Sequence, residues 1–383
     1  MVSFLNFESV SLPDGALELR RLVRTFLEEA RAKGTYTPQC DSWLSGFSPE
    51  FSQELGRREW VGMTWPSRYG GHERSSLERY VVIEELLAAG APVAAHWIAD
   101  RQMGPMILKF GTEAQRQRFL PDIALGNSYW AIGMSEANAG SDLAAVSTRL
   151  VPDGSAWRLE GHKLWSSGAH HCHYMMVLCR VGQAMENRRL GLCNVIVDLR
   201  DPGVTIRPIR LLTGEHHFNE VTFDGVKISA DRMLGNPDDG WRQVTSELAY
   251  ERSGPERFLS TFPLLTALTE WTKVTGNQEL ATEIAELFSE AWGLRRMSLS
   301  VAKMLDQGRD PTLEAALIKD MGTRLERRIT AVAERYVPDE PSLDGTMLSR
   351  LTAQAIMHGP GFTIRGGTSE ILRTIVAKGL ELS

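Results

Sequence analysis

A turn rich in small polar residues, WAIGMSEANAGSDL at residues 130–143, is the stretch best suited to hold a ligand. Ser135 and Ser141 carry hydroxyls that can both donate and accept hydrogen bonds. Small side chains let a backbone approach a ligand closely, and Gly140 can adopt φ values that are closed to other residues. A polar turn after a strand is the plain alternative, and the turn alone does not decide between the two.

Four further motifs follow this turn in order: EGHKLWSSG (160–168), FNEVTFDGVKI (218–228), YERSGPER (250–257) and IRGGTSEI (364–371). Together with SEANAGSD (135–142) they resemble, in the same order, segments of the acyl-CoA dehydrogenase family of flavoproteins. The resemblance runs from about Trp60 to Leu380. It implies an FAD-dependent enzyme that removes a proton and a hydride from an acyl-CoA thioester and leaves an α,β double bond.

The resemblance also implies which residues bind the flavin. By motif match, Ser135 would bond its pyrimidine edge, Ser141 would lie near its pyrophosphate, and Ser167 would replace a family threonine beside N5 and O4. Trp165 would pack on the ring system, although without the motif a core aromatic is an equal interpretation. The implied cofactor set is Ile132, Met134, Ser135, Gly140, Ser141, Trp165, Ser167, Gly367, Thr368 and Glu370, with Ser141 and Arg252 on the substrate.

The catalytic base is the position where family members differ. Many carry a glutamate just before Gly-Thr-Ser near the C-terminus, but this chain has Gly366 there. A second group places the glutamate before an arginine on the first helix of the C-terminal bundle, which corresponds here to Glu251. The resemblance thus implies Glu251 as the base; the alternatives are a surface carboxylate paired with Arg252, or Glu256 in its place.

The resemblance therefore implies two separate catalytic residues, with Glu251 as the base and Gly366 as a hydrogen-bond donor. In the family, the main-chain N–H at the Gly366 position is one of two donors to the thioester carbonyl, and glycine keeps that N–H. Thr368 and Glu370 would touch the flavin, although Thr-Ser-Glu before ILRTIV also reads as a helix start.

One departure from the family concerns assembly. Family members usually carry R-x-x-F-G after the base-bearing helix, and that pair reaches the flavin of a neighbouring subunit. Here the region reads LTEWTKVTGNQEL, with neither residue. The resemblance to heteromeric actinobacterial members that process steroid side chains implies a hetero-oligomer with an unlike chain of the family. The alternative is a homo-oligomer in which Lys273 or Arg295 replaces the arginine.

Composition excludes several other classes of protein. The net charge of -6 and the lack of a long basic stretch argue against a nucleic-acid binder. No run of eighteen apolar residues suggests a membrane span, and the N-terminus does not read as a secretory signal. The four cysteines show no C-x-x-C pairing, so we expect no metal site and a cytoplasmic location.

The hydrophobic pattern predicts an α+β architecture in three parts: an N-terminal helical domain (1–122), a middle antiparallel β domain (123–236) and a C-terminal helical bundle (237–383). Asp14 is expected to cap the first helix, and Pro121 to close a helix capped by Thr112 and Gln115. Ser75 and Glu78 form a second expected capping box.

Three functions stay open from the sequence. The first is an acyl-CoA dehydrogenase that delivers electrons to an acceptor such as electron-transfer flavoprotein, with a steroid side-chain CoA ester as a candidate substrate. The second is a non-catalytic partner subunit in which Glu251 has no role. The third is an oxidase of the same fold, or an enzyme acting on a carrier-bound acyl group or an amine.

Overall fold

The computed structural model describes residues 5–182, 186–252, 254–338 and 340–382, with only the backbone for residues 247–251. Its helices are α1 (Asp14–Ala32), α2 (Ser42–Ser45), α3 (Pro49–Arg57), α4 (Ser76–Ala88), α5 (Ala94–Ile98), α6 (Gly104–Phe110), α7 (Glu113–Ala124), α8 (Gly240–Glu251), α9 (Phe262–Thr275), α10 (Gln278–Asp306), α11 (Thr312–Tyr336), α12 (Met347–Phe362) and α13 (Ser369–Gly379).

The strands all lie between α7 and α8. They are β1 (Trp130–Gly133), β2 (Arg149–Asp153), β3 (Ala156–Ser167), β4 (Tyr174–Val181), β5 (Leu192–Asp198), β6 (Val204–Arg210), β7 (His216–Ile228) and β8 (Met233–Leu234). The predicted order of helices, β domain and helices is therefore confirmed. Among the described residues, no helix has the length and hydropathy needed to cross a membrane.

The strands form one sheet in the order β6-β7-β3-β2-β4-β5-β8, with β1 beside β4. Most neighbours are antiparallel, as expected, but β4 runs parallel to both β1 and β2. Alternate residues of these strands build an apolar core, because successive side chains of a strand point to opposite faces. Met175, Val177, Val195 and Val221 are fully buried in that core.

Contacts between residues divide the chain into two units. One comprises Met1–Phe47, Arg74–Val93 and Glu251–Ser383, and the other comprises Ser48–Glu73 and Ala94–Tyr250. The first contains α1, α4 and the long helices α9–α13, whereas the second contains the sheet together with α3 and α5–α7. The three domain ranges drawn from the sequence stay a prediction.

Local helix signals are borne out in part. Ser75 with Glu78 and Thr112 with Gln115 form the two expected capping boxes. Two other expectations are wrong. Pro13 holds the N-cap of α1, so Asp14 is its first residue and bonds no backbone N–H as a cap. The helix α7 continues past Pro121 to Ala124, because burial of its last turn in the core outweighs the backbone hydrogen bond that proline cannot donate.

Candidate active site

The serine-rich loop is attached to β3 beside Trp165. It begins where β1 ends at Gly133, and the Ser135 carbonyl accepts a hydrogen bond from the Leu164 N–H at 2.9 Å. Glu136 and Ala139 then pair with each other in an isolated antiparallel bridge. The structure thus brings Met134 and Ser135 together with the β3 residues that the sequence assigned to the same ligand.

A buried ion pair that was not expected from the sequence supports this loop. Lys163 is fully buried on β3, and its Nζ atom donates to the Glu136 carboxylate at 2.7 Å and to the Met134 carbonyl at 3.1 Å. Glu136 also accepts hydrogen bonds from the main-chain N–H groups of Ser147 and Thr148, at 2.7 and 2.9 Å. The signal was available, since Glu136 and Lys163 each lie inside a quoted motif.

The charges of this pair are set by its surroundings. Burial raises the pKa of Glu136, but the charge and hydrogen bond of Lys163, with help from Ser147 and Thr148, lower it to about 2. Burial lowers the pKa of Lys163, and Glu136 opposes that change. We take the pair as ionised at neutral pH, because both charged groups are well hydrogen-bonded. This buried ion pair therefore attaches the serine-rich loop to β3 through two desolvated charges.

Trp165 has an unusual backbone conformation. Its φ is +61°, in the left-handed region that bulky residues rarely adopt, and the pairing of β3 with β7 shifts register between Lys163 and Ser166. Its side chain is 54% exposed, with one edge against Phe218 at a ring separation of 5.8 Å. A strained, exposed aromatic suits a flat ring ligand better than the core role that the sequence left open.

The remaining residues of the turn are more open. Ile132 and Ser167 are half-buried, whereas Gly140 and Ser141 are exposed. Gly140 does not use the conformational freedom that glycine offers, since it is not among the positive-φ glycines, and an added Cβ would meet no atom within 4 Å. Asp142 next to them forms an ion pair with Arg188 at 2.8 Å. This end of the turn is therefore accessible to a ligand.

A second group of assigned residues lies in the helical unit, around two consecutive glycines. Gly366 and Gly367 have φ values of +65° and +102°, which favour glycine over any other residue. Arg252 is buried, and its Nε atom donates to the Gly366 carbonyl at 2.9 Å. Lys319, which was not expected from the sequence, donates to the Gly367 carbonyl at 2.9 Å. Two cationic side chains therefore hold two successive carbonyls.

The residues that follow the glycines form a helix start. Thr368 is the N-cap of α13, and its side chain accepts a hydrogen bond from the Ile371 N–H. The main-chain N–H of Glu370 and the Thr368 side chain lower the pKa of the Glu370 carboxyl. Both residues thus serve a capping function, which does not conflict with contact to a ligand.

The residue before the glycines is also fixed. The guanidinium of Arg365 bonds the Asp41 carboxylate and donates to Ser260 Oγ at 2.7 Å. It lies over the Trp43 ring, 4.7 Å from the centroid. The segment that carries Gly366 is therefore held by side chains on both sides.

The candidate base Glu251 is the last residue of α8, and its side chain lies outside the described residues. Its neighbour Arg252 is described, and the contact with Gly366 brings the Glu-Arg motif beside the glycine motif. Glu256, the alternative base, is buried at 1% exposure in a separate 3₁₀ turn, Pro255–Arg257. The position that holds the base in many family members thus lies against the residue next to Glu251.

Comparison with known proteins gives the family. The N-terminal, middle and C-terminal domains of acyl-CoA dehydrogenase match residues 13–127, 131–226 and 264–381. Acyl-CoA dehydrogenase IpdE1 of Mycobacterium tuberculosis is 33% identical over 94% of this chain and 96% of its own length.

Several solved structures are similar over nearly the whole chain. The steroid ACAD named Tcur3481-Tcur3483 has a TM-score of 0.85 at 26% identity and covers 99% of both chains. The ChsE4-ChsE5 complex from M. tuberculosis has a TM-score of 0.82 at 25% identity and covers 98% of this chain and 99% of the other. The chain therefore belongs to the acyl-CoA dehydrogenase family, the FAD-dependent oxidoreductases that act on the CH–CH group of acyl-CoA thioesters.

Proposed function

We propose that Glu251 is the base of an α,β-dehydrogenation of a bulky acyl-CoA thioester, carried out by this chain within a hetero-oligomer. The observation that carries the proposal is the 2.9 Å hydrogen bond from Arg252 Nε to the Gly366 carbonyl. It ties the end of α8, where Glu251 lies, to the position where many family members hold their base. Glycine there leaves room for a carboxylate that comes from α8.

The roles follow from the groups available. FAD, when bound, accepts the β hydride. Glu251 takes the α proton, and the Gly366 N–H donates to the thioester oxygen as negative charge develops on it. Ser141 and Arg252 contact the substrate. Burial of Arg252 gives it a fixed position, which a group that orients a substrate requires.

The residues present fit a flavin. An exposed, strained Trp165 offers a flat face, and the hydroxyls of Ser135 and Ser167 offer polar partners for a ring edge. The accessible Gly140 and Ser141 suit the pyrophosphate. We assign cofactor contacts to these residues and to Ile132, Met134, Gly367, Thr368 and Glu370.

A bulky acyl group is supported by the break after α8. The helix ends at Glu251, and the next turn begins at Pro255 after Gly254. Proline cannot donate the backbone hydrogen bond of a helix, so the chain after Glu251 does not continue as an α-helix. One of the similar solved structures is named a steroid ACAD, and a steroid side-chain CoA ester is the substrate class we propose.

A hetero-oligomer is supported by the pairing of the two cations that could replace the family arginine, since each bonds a carboxylate of this chain. Arg295 is engaged by Glu84, with hydrogen bonds of 2.6 and 3.0 Å. Lys273 is exposed and paired with Glu270 on the same helix, at 2.7 Å. The two solved structures described above carry paired names, Tcur3481-Tcur3483 and ChsE4-ChsE5. We therefore propose an unlike chain of the family as partner.

Two further assignments complete the proposal. We propose electron-transfer flavoprotein as the acceptor, in line with the dehydrogenase family. We also propose a cytoplasmic location, because the four cysteines show no C-x-x-C pairing, which fits a reducing compartment.

The test is to purify the chain alone and together with a co-expressed family member encoded beside it. We expect the pair to bind FAD and to reduce a dye acceptor with a steroid side-chain CoA ester, faster than with a short straight-chain acyl-CoA. We expect the chain alone to hold FAD at least about a hundredfold more weakly, since two charge-assisted contacts are each worth about 1.5–3 kcal/mol. A yellow homo-oligomer with one FAD per chain and full turnover would refute the hetero-oligomer.

A further inference from the structure

A buried lysine lies behind the glycine pair. Lys319 is 1% exposed, on a stretch of α11 that also buries Ala315, Ala316 and Ile318. Its Nζ atom donates to the Phe362 carbonyl at 3.1 Å and to the Gly367 carbonyl at 2.9 Å. Burying an ammonium group is unfavourable unless it is well hydrogen-bonded. A lysine at this buried position is therefore expected to have a role that an apolar side chain could not fill.

The first contact is structural. Phe362 is the last residue of α12, so its carbonyl is one of the helix-terminal acceptors without a partner inside the helix. Thr323, one turn after Lys319 on α11, donates to the same carbonyl at 3.1 Å. The end of α12 is therefore held by two donors from one face of α11.

The second contact is to the glycine pair itself. Arg252 holds the Gly366 carbonyl, whereas Lys319 holds the Gly367 carbonyl. Two consecutive glycines have the widest backbone freedom of any dipeptide, and a hydrogen-bond donor in a site is useful only if its direction is fixed. Because these cations fix both peptide planes that follow Gly366, they limit how the Gly366 N–H can turn.

We propose that Lys319 is a positioning residue for the dehydrogenation: through the Gly367 carbonyl it fixes the direction in which the Gly366 N–H donates to the enolate oxygen. This inference rests on the proposed function of Gly366. The step concerned breaks the α C–H bond. The proton goes to Glu251 and the electron pair is delocalised onto the thioester oxygen, to which the Gly366 N–H donates a hydrogen bond.

The test compares Lys319→Met with Thr323→Val in the FAD-loaded assembly. Lys319→Met removes the donors to both carbonyls, whereas Thr323→Val removes only a donor to Phe362 and leaves Gly367 held. We expect Lys319→Met to lower kcat about 10–100-fold with little change in KM, somewhat less than the loss of an oxyanion donor itself. Thr323→Val should keep kcat within about threefold of the unmodified enzyme. Lys319→Arg, which can still donate to two carbonyls, should recover much of the rate.

A binding measurement separates positioning from stability. An acyl-CoA analogue with sulfur in place of the β carbon can lose its α proton but cannot give up a hydride, and its deprotonated form on oxidised flavin is seen as a long-wavelength absorbance band. We expect Lys319→Met to weaken binding of the deprotonated form about 10–100-fold while FAD content stays the same. If Lys319→Met does not fold, Lys319→Gln, which keeps a donor without the charge, should show a smaller loss of the same band.

The outcomes distinguish this inference from the proposed function. If the unmodified enzyme shows the band and Lys319→Met leaves it unchanged, the role of Lys319 is overturned and the proposed function is not. Equal losses in Lys319→Met and Thr323→Val would also overturn it, because the end of α12 would then be the cause. Absence of the band in the unmodified assembly would overturn the proposed function, and the role of Lys319 with it.

Discussion

Replacing Lys163 by methionine tests whether the buried ion pair supports the cofactor loop. The variant leaves the Glu136 carboxylate buried without the cation that stabilises it. In the folded protein the pKa of Glu136 falls from its ordinary 4.5 to about 2. The two pKa values differ by about 2.5, and one pKa unit is worth about 1.4 kcal/mol. The difference therefore corresponds to about 3 kcal/mol of stability at neutral pH. Breaking a buried pair typically costs about 3–5 kcal/mol, which agrees.

The pH dependence gives the sign of the effect. Because the folded pKa of Glu136 is depressed, its contribution is present above about pH 4.5 and is lost as pH falls through about 2. Without Lys163, only the hydrogen bonds of Ser147 and Thr148 oppose the rise in the Glu136 pKa that burial causes. Ionised Glu136 then contributes less stability at neutral pH, so the variant loses less stability in acid. We therefore expect the gap between the two proteins to be widest near pH 7 and to narrow below pH 4.5.

The assay measures the free energy of unfolding in urea, and then the hydrogen exchange of the β3 amides, each at several pH values. Arg149→Met is the matched control, since Arg149 and Glu160 form an exposed pair in the same sheet, and it should cost less than about 1 kcal/mol. The double variant Glu136→Gln, Lys163→Met should lose less than Lys163→Met alone, because no buried charge is then left without a partner. A loss in Lys163→Met no larger than in the control, or a gap that does not change with pH, would refute the reasoning.

Three further expectations concern the cofactor and the glycine pair. Heat should release FAD and not FMN from the assembly, as chromatography of the supernatant would show; FMN would contradict the assignment. Trp165→Gly should change stability of the flavin-free protein by less than about 1 kcal/mol, because relief of the left-handed φ offsets lost contacts, yet it should weaken FAD binding as measured by flavin fluorescence. Gly367→Ala should lower kcat and cost about 1–3 kcal/mol, since its φ is +102° and the added Cβ would lie 3.1 Å from Arg252 Nη2; unchanged turnover and melting temperature would argue against a strained site.

Much of the architecture could be predicted from the sequence. Periodicity and turn residues gave the three-part order, and both capping boxes formed because their side chains act on backbone N–H groups only three residues away. Asp14 and Pro121 show the limits of local rules. In the first case a neighbouring proline took the cap, and in the second the burial of the last turn of α7 decided where the helix ends.

The supporting contacts of the site could not be predicted in the same way. Glu136 and Lys163 are 27 residues apart, and Arg252 and Gly366 are 114 apart. Partners at such separations are set by tertiary packing, which leaves no local pattern in the chain. The strained φ of Trp165 arises from a bulge between two strands, and a single segment carries no sign of it.

The central claim, that Glu251 is the base, is tested most directly by Glu251→Gln. The measurement is the rate of flavin reduction by substrate in a single anaerobic turnover of the assembly. Glutamine keeps the shape of the side chain but cannot accept the α proton, so we expect bound FAD and unchanged assembly with a rate about 10²–10⁴-fold lower. Reduction at a near-normal rate would contradict the claim and would direct attention to Glu256.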